Sequence, residues 1–572
     1  MSGEFGRRMC TRLSLIISMT VLPTALLADD LTTAGDPESL GFSAARLARI
    51  GTWYQSRIAP ADLSGKDAGD LSGAVIAIAR NGKLAYLQAT GFQDRSRTVP
   101  MKTDSIFWIA SMTKPVTSVA AMMLVDDGKL ELDAPVSRYL PELANMQVGV
   151  ADKDAAGAVV IRRQPAKRAM TVRDLLRHTS GLVYPPQYVD EPINRLYGKA
   201  AFARDKTLAD FVASLADLPL AHQPGEVFEY SWSVDVLARI VEITSSQPFD
   251  EFLESGIFKP LRMVDTGFYV PKEKLDRLVE APEPRNPQFD VTRPRRLLSG
   301  GGGLVSTATD YLRFCQMLLD GGELDGVRLL NARTVQLMTS DALSPDVRMI
   351  GGVIGPTLGS SFGLGLAVRT NAEFSNVPGA VGSYRWSGLW GTYFWIDPVE
   401  KLSAVQMIQV KPGRTGPYYA ALRNLTYGAL QVTQPERFAK PPIAAIALSS
   451  DTLDGYSGKY DFGASSSSRD KMNTPTTRFA GIGADIELAP SAVKIRRTLD
   501  NSPAAAAGLH AGDLITSIDD MPVKGLSVNH VIGRLRGAVD TQVRLQVLRD
   551  GRGYPFQIAV TRAPIYVPGV CR

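Results

Sequence analysis

The chain is organised around the stretch Phe107-Trp108-Ile109-Ala110-Ser111-Met112-Thr113-Lys114-Pro115-Val116-Thr117, which leads into an apolar run from Val119 to Val125. Proline is tolerated in a helix only within about the first turn, so Pro115 requires a helix that begins close to Ser111. Residues three apart share a helix face, which brings the Lys114 amine within reach of the Ser111 hydroxyl. Burial and the positive end of the helix dipole both disfavour an ammonium there. The stretch therefore predicts a serine nucleophile activated by a neutral lysine.

The S-x-x-K pattern alone has low specificity, because the chain contains it twice more. Ser468 to Lys471 lies in a serine-rich polar run, and Ser491 to Lys494 lies in a predicted strand. Neither offers a helix start with an apolar face behind it. A solvated serine and lysine at a helix start is the alternative interpretation of any single match, so Ser111 needs support from the rest of the sequence.

The composition is that of a globular protein. The 572 residues are enough for about two or three domains, and the net charge is +5. The basic residues are scattered without a basic stripe, so nucleic-acid binding is not expected. The four histidines and three cysteines lack metal-ligand spacing. No metal and no cofactor are therefore expected.

The N-terminus has the pattern of a secretory signal peptide. Arg7, Arg8 and Arg12 precede an apolar run from Leu13 to Leu27, and we place the cleavage after Ala28. The run is shorter than the roughly 20 residues that span a bilayer, so no stable membrane span is expected after cleavage. The arginine pair leaves Sec and twin-arginine export both open. The expected location is periplasmic or secreted.

Hydrophobic patterning predicts a layered domain. Two strands, residues 73–79 and 84–90, flank the turn signal Asn81-Gly82. Later single strands are predicted over Phe362 to Val368, Tyr384 to Ile396 and Leu402 to Gln409. Helices are predicted over Ala44 to Ile58, Val234 to Ser245, Asp310 to Leu319 and Tyr418 to Val432. This order of strands, helices and further strands indicates an α+β or α/β layered domain.

A second hydrolase pattern competes with Ser111. Gly359-Ser360-Ser361-Phe362-Gly363 matches the G-x-S-x-G elbow of α/β-hydrolases, which requires a helix after the serine and a later histidine. The residues after Ser361 alternate like a strand, and His510 and His530 lie beyond a predicted linker. His178 is the other candidate base, but it follows a short predicted helix in a turn. Ser361 is therefore rated below Ser111.

Four consecutive glycines, Gly300 to Gly303, follow Ser299 and precede a predicted helix. No Gly-Lys-Ser/Thr sequence follows them, so the loop is not a phosphate-binding P-loop. Close backbone packing is their predicted use.

On these residues, the segment from Ser43 to Val432 resembles the serine β-lactamase-like hydrolases. That family includes class C β-lactamases, D-alanyl-D-alanine carboxypeptidases, D-aminopeptidases and related esterases. Its three motifs occur in order as Ser111-Met112-Thr113-Lys114, Tyr230-Ser231-Trp232 and Trp386-Ser387-Gly388. The stretches His178 to Leu182 and Gly302 to Thr307 also look like parts of this family. The resemblance implies a β-lactamase/transpeptidase-like fold, an antiparallel sheet flanked by helices plus a helical region.

The resemblance also implies the roles of individual residues. Ser111 would be the nucleophile, Lys114 its base, and Tyr230 the phenol that carries a proton toward the leaving group. The backbone N–H groups of Ser111 and Leu389 would form the oxyanion hole. The implied substrate-binding residues are Trp232, Trp386, Ser387 and Gly388. The reaction would be acylation of Ser111 followed by hydrolysis.

Two departures from the family pattern narrow the expected substrate. Penicillin-recognising members usually begin the third motif with Lys or His, which binds a carboxylate, where this chain has Trp386. The second motif commonly ends in Asn, where this chain has Trp232. Aromatic surface in both places favours small neutral acyl esters. The prediction is an esterase that resembles the esterase branch of the family, with a D-amino-acid peptidase, DD-carboxypeptidase or weak β-lactamase as the alternative.

Residues 478–563 resemble a PDZ domain of the type attached to bacterial C-terminal-processing peptidases. The matching stretches are Gly481-Ile482-Gly483-Ala484, Asn501 to Leu509 and Ala511 to Ile515. The resemblance implies that the first stretch presents backbone N–H groups to a peptide's terminal carboxylate while the peptide adds a strand. The alternatives are a PDZ fold that only stabilises the protein and, for the whole chain, a catalytically silent binding protein.

The predicted organisation is therefore a signal peptide (1–28), a β-lactamase-like hydrolase domain (29–432), a linker (433–477), a small β-rich PDZ domain (478–563) and a tail (564–572). The expected partners are a small-molecule ester or acyl substrate and a peptide C-terminus.

Overall fold

The computed structural model describes residues 31, 35–58, 71–155, 157–186, 189–198, 205–282, 290–344, 346–349, 359–372, 375–431, 477–489, 492–499, 502–519, 521–523, 528–536, 540–549 and 555–567. The chain divides into two compact units, Met1–Pro441 and Pro442–Arg572. The predicted signal peptide and nearly all of the predicted linker lie outside the described residues.

The first unit contains helices and strands in alternation. Its helices are α1 (Ala44–Arg57), α2 (Thr113–Asp126), α3 (Val172–Leu176), α4 (Pro192–Tyr197), α5 (Leu208–Leu215), α6 (Ser233–Ser245), α7 (Phe249–Leu253), α8 (Ala308–Leu319), α9 (Ala332–Met338) and α10 (Gly416–Ala429). Its strands are β1 (Gly73–Arg80), β2 (Lys83–Gly91), β3 (Phe107–Trp108), β4 (Gln147–Lys153), β5 (Val159–Pro165), β6 (Val227–Phe228), β7 (Val305–Ser306), β8 (Glu323–Leu324), β9 (Val327–Arg328), β10 (Arg348–Met349), β11 (Ser360–Phe362), β12 (Ala367–Arg369), β13 (Tyr384–Ser387), β14 (Tyr393–Asp397) and β15 (Leu402–Ile408).

The main sheet is antiparallel throughout and has the order β11-β12-β13-β14-β15-β1-β2. The Asn81-Gly82 turn joins β1 to β2, and both residues have the positive φ that a tight hairpin turn requires. Consecutive side chains of a strand point to opposite faces of its sheet. On β1, Val75 and Ala77 lie in one core while Ala74 and Ile76 lie in the other.

These two cores place the sheet between helical layers. On one face, α1 and α10 pack together against the sheet. On the other face, α8 packs on the central strands, and the larger core continues into a helical region that includes α2 and α6. The predicted fold, an antiparallel sheet flanked by helices plus a helical region, is therefore confirmed.

Two predicted strands are wrong in the same way. The segment from Phe362 to Val368 is not one strand, because β11 ends at Phe362 and the chain reverses through Gly365, whose φ is +92°, into β12. The segment from Tyr384 to Ile396 likewise forms the hairpin β13–β14, reversing through Gly391 with φ +99°. In both segments apolar residues continue through the turn, so the hydrophobic pattern alone conceals the reversal.

The second unit is rich in strands. Its elements are β16 (Thr477–Gly481), β17 (Ala484–Ala489), β18 (Ala492–Thr498), α11 (Pro503–Ala506), β19 (Leu514–Ile518), β20 (Met521–Pro522), α12 (Val528–Leu535), β21 (Gln542–Leu548), β22 (Phe556–Thr561) and β23 (Ala563–Val567). Six strands form a sheet. Five follow the order β17-β18-β19-β21-β22 and β20 pairs with β19, while β16 pairs with β23. The predicted boundary at residue 563 thus cuts through β23, whose pairing with β16 continues to Val567 in the predicted tail.

Candidate active site

Ser111 lies in a tight turn between β3 and α2. A 3-10 turn, Ala110–Met112, precedes the helix, and Ala110 has a φ of +45°, which is unusual for a residue with a side chain. The Thr113 hydroxyl closes the turn by donating to the Ala110 carbonyl at 2.7 Å, and the Tyr311 hydroxyl donates to the Met112 carbonyl at 2.8 Å. Ser111 is consequently held half-buried at the start of the helix, as Pro115 predicts.

Lys114 is buried beneath Ser111, with only 1% of its surface exposed. Its Nζ lies 3.5 Å from Ser111 Oγ, 3.0 Å from the Tyr184 hydroxyl and 2.6 Å from the Gly301 carbonyl oxygen. Burial lowers the pKa of Lys114 to about 7, and the nearby carboxylate of Asp235 opposes this shift. Much of the amine is therefore neutral at physiological pH, as a general base must be.

The three neighbours of Lys114 Nζ match the hydrogen-bonding groups of a neutral amine. Such an amine has two N–H donors and one lone pair. The Tyr184 oxygen and the Gly301 carbonyl can accept both donors. The lone pair is then left for the Ser111 hydroxyl, the third neighbour of Nζ. This arrangement can take a proton from serine without changing the other two contacts.

Tyr230 lies directly before α6 and is buried at the same site. Its ring centroid is 4.5 Å from Lys114 Nζ. The ring also contacts the rings of Tyr184, at 5.3 Å between centroids, and Trp386, at 5.4 Å. The fold therefore brings the three sequence motifs together, although more than 270 residues separate the first from the last.

The third motif ends in a turn that packs on the serine segment. A Cβ at Gly388 would lie 2.4 Å from the Ile109 carbonyl oxygen, so only glycine permits this approach. The Thr392 hydroxyl donates to the same oxygen at 3.2 Å. Leu389, the predicted second oxyanion donor, is the next residue in this turn, and Ser387 is the last residue of β13.

Trp232 and Trp386 belong to an aromatic surface around the lysine and tyrosines. Trp232 packs edge-on against Tyr184 at 4.5 Å between centroids and against Phe211 at 5.1 Å. Trp386 packs edge-on against Phe362 at 5.2 Å. Both tryptophans are at most 9% exposed. They therefore shape the site through ring packing.

His178 lies beside the site and adopts a positive φ of +57°. Its ring is 4.8 Å from that of Tyr230, and its Nδ1 is 3.2 Å from the Ser231 hydroxyl. Burial and then the charge of Lys114 both lower the pKa of His178, so it is neutral at pH 7. Its position in a turn is confirmed, and it packs behind Tyr230.

Three contributors to this site were missed by the sequence interpretation: Tyr184, Asp235 and the backbone of Gly301. Tyr184 follows a turn without periodicity, and Asp235 resembles an ordinary acidic residue in the first turn of a helix. The backbone of Gly301 has no sequence signal beyond the glycine run itself. The predicted close packing of that run is confirmed, since a Cβ at Gly300 would lie 2.5 Å from the Ala238 Cβ.

The competing serine has different surroundings. Ser361 is half-buried on β11, a strand, and its hydroxyl donates to the carboxylate of Asp341. The elbow geometry requires a helix after the serine, whereas here the chain turns into β12. The G-x-S-x-G pattern therefore occurs without the structure that gives it its function.

The predicted carboxylate loop of the second unit connects β16 to β17. Ile482 buries its side chain in the core, and its carbonyl accepts from the Ala504 N–H at 2.7 Å. Gly483 has a φ of +69°, which turns the backbone into β17 at Ala484. In the described sheet β17 is an edge strand, the position at which a peptide strand can be added.

Among the described residues, no cluster of three or more His, Cys, Asp or Glu side chains could hold a metal ion. No helix in that part of the chain is long and apolar enough to cross a membrane.

The fold and this site are those of a serine hydrolase. The family model described as Beta-lactamase matches residues 61–427, and the chain belongs to that family. A second model, described as PDZ domain, matches residues 495–549. Both resemblances found in the sequence are thereby confirmed.

Several relatives match about two thirds of the chain. The chain is 40% identical over 395 residues to Protein Rv1367c of Mycobacterium tuberculosis, covering 67% of this chain and 96% of that protein. It is 30% identical to Esterase EstB of Burkholderia gladioli, covering 62% and 91%. It is 27% identical to a protein of Escherichia coli named putative D-alanyl-D-alanine carboxypeptidase, covering 66% and 86%.

A solved structure is also similar to about two thirds of the chain. EstCE1, titled a hydrolase with promiscuous acyltransferase activity, is 26% identical and has a TM-score of 0.54. The matched part covers 68% of this chain and 99% of EstCE1. The similarity thus spans essentially the whole of that hydrolase.

Proposed function

We propose that this protein is a carboxylesterase that cleaves small neutral acyl esters through an acyl-enzyme on Ser111. The observation that carries the proposal is the buried Lys114 amine, which has Ser111 Oγ at 3.5 Å and its two N–H donors matched by Tyr184 and Gly301. The aromatic walls at Trp232 and Trp386 support a neutral substrate, because an indole ring cannot form an ion pair with a carboxylate.

In this mechanism Lys114 takes the hydroxyl proton as Ser111 Oγ forms a bond to the ester carbonyl carbon. The backbone N–H groups of Ser111 and Leu389 stabilise the resulting oxyanion, each by a few kcal/mol. Tyr230 passes its proton to the leaving alkoxide as the carbon–oxygen bond breaks, and it takes up the proton that Lys114 holds, so both groups return to their starting states. A water molecule then attacks the acyl carbon and gives a proton to Lys114. As the bond from that carbon to Ser111 Oγ breaks, the proton moves from Lys114 to Ser111 Oγ and the carboxylic acid leaves.

Three substrates on one preparation test this proposal: p-nitrophenyl butyrate, a chromogenic cephalosporin and a D-Ala-D-Ala peptide. We expect the highest kcat/KM for the ester and loss of that activity in Ser111→Ala. A preference for the D-Ala-D-Ala peptide would contradict the esterase proposal and favour the carboxypeptidase alternative, which is the name of the Escherichia coli relative. A fluorophosphonate probe that does not label Ser111 would favour a catalytically silent protein.

We further propose that the protein is exported and that its PDZ unit binds a peptide C-terminus. Export follows from the signal-peptide pattern, so N-terminal sequencing of the protein from a periplasmic or secreted fraction should begin at Asp29. For the PDZ unit, the full chain should bind peptides with a free C-terminal carboxylate. The same peptides with a C-terminal amide are the control, and equal binding of both forms would contradict recognition of the carboxylate.

A further inference from the structure

A fully buried carboxylate lies behind the lysine. Asp235 is in the first turn of α6, and its side chain is 0% exposed. A carboxylate in a protein core is costly unless it is hydrogen-bonded and paired with a positive group. Here Asp235 Oδ1 accepts hydrogen bonds from the Ser299 hydroxyl at 2.5 Å and from the Gly301 N–H at 3.1 Å. Burial raises the pKa of Asp235, while the charge of Lys114 and these two hydrogen bonds oppose that rise. Packing alone does not explain an ionisable group in this position.

Gly301 connects this carboxylate to the amine. Its N–H donates to Asp235, while its carbonyl oxygen accepts from Lys114 Nζ at 2.6 Å. A Cβ at this position would lie 2.3 Å from Asp235 Oδ2, so the residue must be glycine for the carboxylate to approach. The backbone of one residue is thus held by the carboxylate on one side and by the lysine on the other.

We propose that Asp235 is a positioning residue for Lys114, holding Gly301 so that its carbonyl occupies one N–H of the amine and leaves the lone pair toward Ser111. The inference rests on the proposed function of Lys114 as the base. It adds that the base is oriented from behind by a carboxylate on α6 that does not touch the reacting atoms.

The carboxylate also acts on the amine through its charge. The groups facing Lys114 are Ser111, Tyr184, Tyr230, the neutral His178 and Asp235. Asp235 is the carboxylate among them, and it opposes the loss of the lysine's proton. Without its charge, burial acts unopposed, so the pKa of Lys114 falls further and the amine becomes a weaker base.

The test measures the second-order rate at which a fluorophosphonate labels Ser111 in the full-length protein as a function of pH. Asp235→Asn keeps an acceptor for Gly301 and Ser299 but removes the charge. We expect its plateau rate to fall about tenfold and its acid limb to move about one pH unit lower. A merely structural role would lower the rate or the Tm without moving the limb.

Asp310→Asn is the matched control. Asp310 is also a buried carboxylate in the first turn of a helix, α8, and burial raises its pKa to about 6. It accepts instead from the Asp265 N–H at 2.7 Å and the Thr266 hydroxyl at 2.9 Å. This variant should keep the wild-type acid limb, and an equal shift in both variants would overturn the inference.

A second variant covers the case in which Asp235→Asn does not fold. Ser299→Ala removes one hydrogen bond from Asp235 and keeps the charge, so labelling should slow about threefold. If Asp235→Asn or Ser299→Ala folds and is labelled at the wild-type rate, Asp235 does not position Lys114. Ser111 would still be the labelled nucleophile. Absence of labelling in the wild-type protein would instead refute the proposed function itself.

Discussion

Ser111 and Ser361 both lie in hydrolase motifs, yet their surroundings give them opposite properties. Ser111 faces a buried amine that can accept its proton. The Ser361 hydroxyl, on the strand β11, donates a hydrogen bond to the carboxylate of Asp341. The chain then turns into β12, whereas the elbow motif requires a helix after the serine. A carboxylate is a weak base for a hydroxyl, whereas a lysine whose pKa is lowered toward 7 is matched to neutral pH.

Burial of the base, more than the motif around the serine, distinguishes the two sites. The Lys114 amine has lost its contact with water and has specific acceptors for its protons. Asp341 is exposed to solvent.

The largest effect is expected from the nucleophile itself. Ser111→Ala should lower kcat/KM for p-nitrophenyl butyrate by about a thousandfold or more, because no acyl-enzyme can form. Ser361→Ala is the matched control and should keep wild-type kinetics. Loss of activity in the control with retention in Ser111→Ala would reverse the comparison.

Removal of the base should have the next largest effect. Lys114→Ala leaves the hydroxyl without a proton acceptor, and kcat should fall about a hundredfold to ten-thousandfold. Lys494→Ala is the control, since Lys494 belongs to another S-x-x-K match but is exposed on β18. Unchanged ester turnover in Lys114→Ala would refute the lysine mechanism and return attention to Ser361.

The close packing of the Leu389 turn against the serine segment should affect kcat. In Gly388→Ala the new Cβ would contact the Ile109 carbonyl oxygen and displace the turn. If Leu389 donates to the oxyanion, kcat of the folded protein should fall about a hundredfold, and the Tm should fall below that of the control because the backbone must move to relieve the overlap. Gly416→Ala serves as that control, because its Cβ meets no atom within 4 Å.

The sequence was sufficient to predict features that only a few residue types can provide. Pro115 located the helix start, Asn81-Gly82 located the first hairpin, and the three motifs identified the family and the fold. Each of these signals is local, and the fold only had to bring them together. Ser111, Lys114, Tyr230 and Trp386 are therefore predictable from the sequence alone.

The missed features depend on contacts between distant segments. Tyr184 and Gly301 contact Lys114 from 70 and 187 residues away along the chain, and Asp235 acts through Gly301. The reversals at Gly365 and Gly391 were missed because the flanking residues are apolar on both sides of each turn. The hydrophobic pattern of a sequence indicates which residues are buried, but it does not show which of them contact Lys114.

The smallest effect is a dependence on pH. Burial lowers the pKa of Lys114 to about 7 from its ordinary value of 10.5, and only the neutral amine accepts the Ser111 proton. As pH rises through 7 the amine loses its proton, so kcat/KM should rise and then level off, with a value at pH 6 about tenfold below the plateau.

The measurement is kcat/KM for an ester without ionisable groups, from about pH 5 to 9. The Tm is measured over the same range of pH. A limb near the ordinary pKa of lysine would mean that burial does not lower the pKa of Lys114, and a limb near pH 4 would mean that the base is a carboxylate and not Lys114.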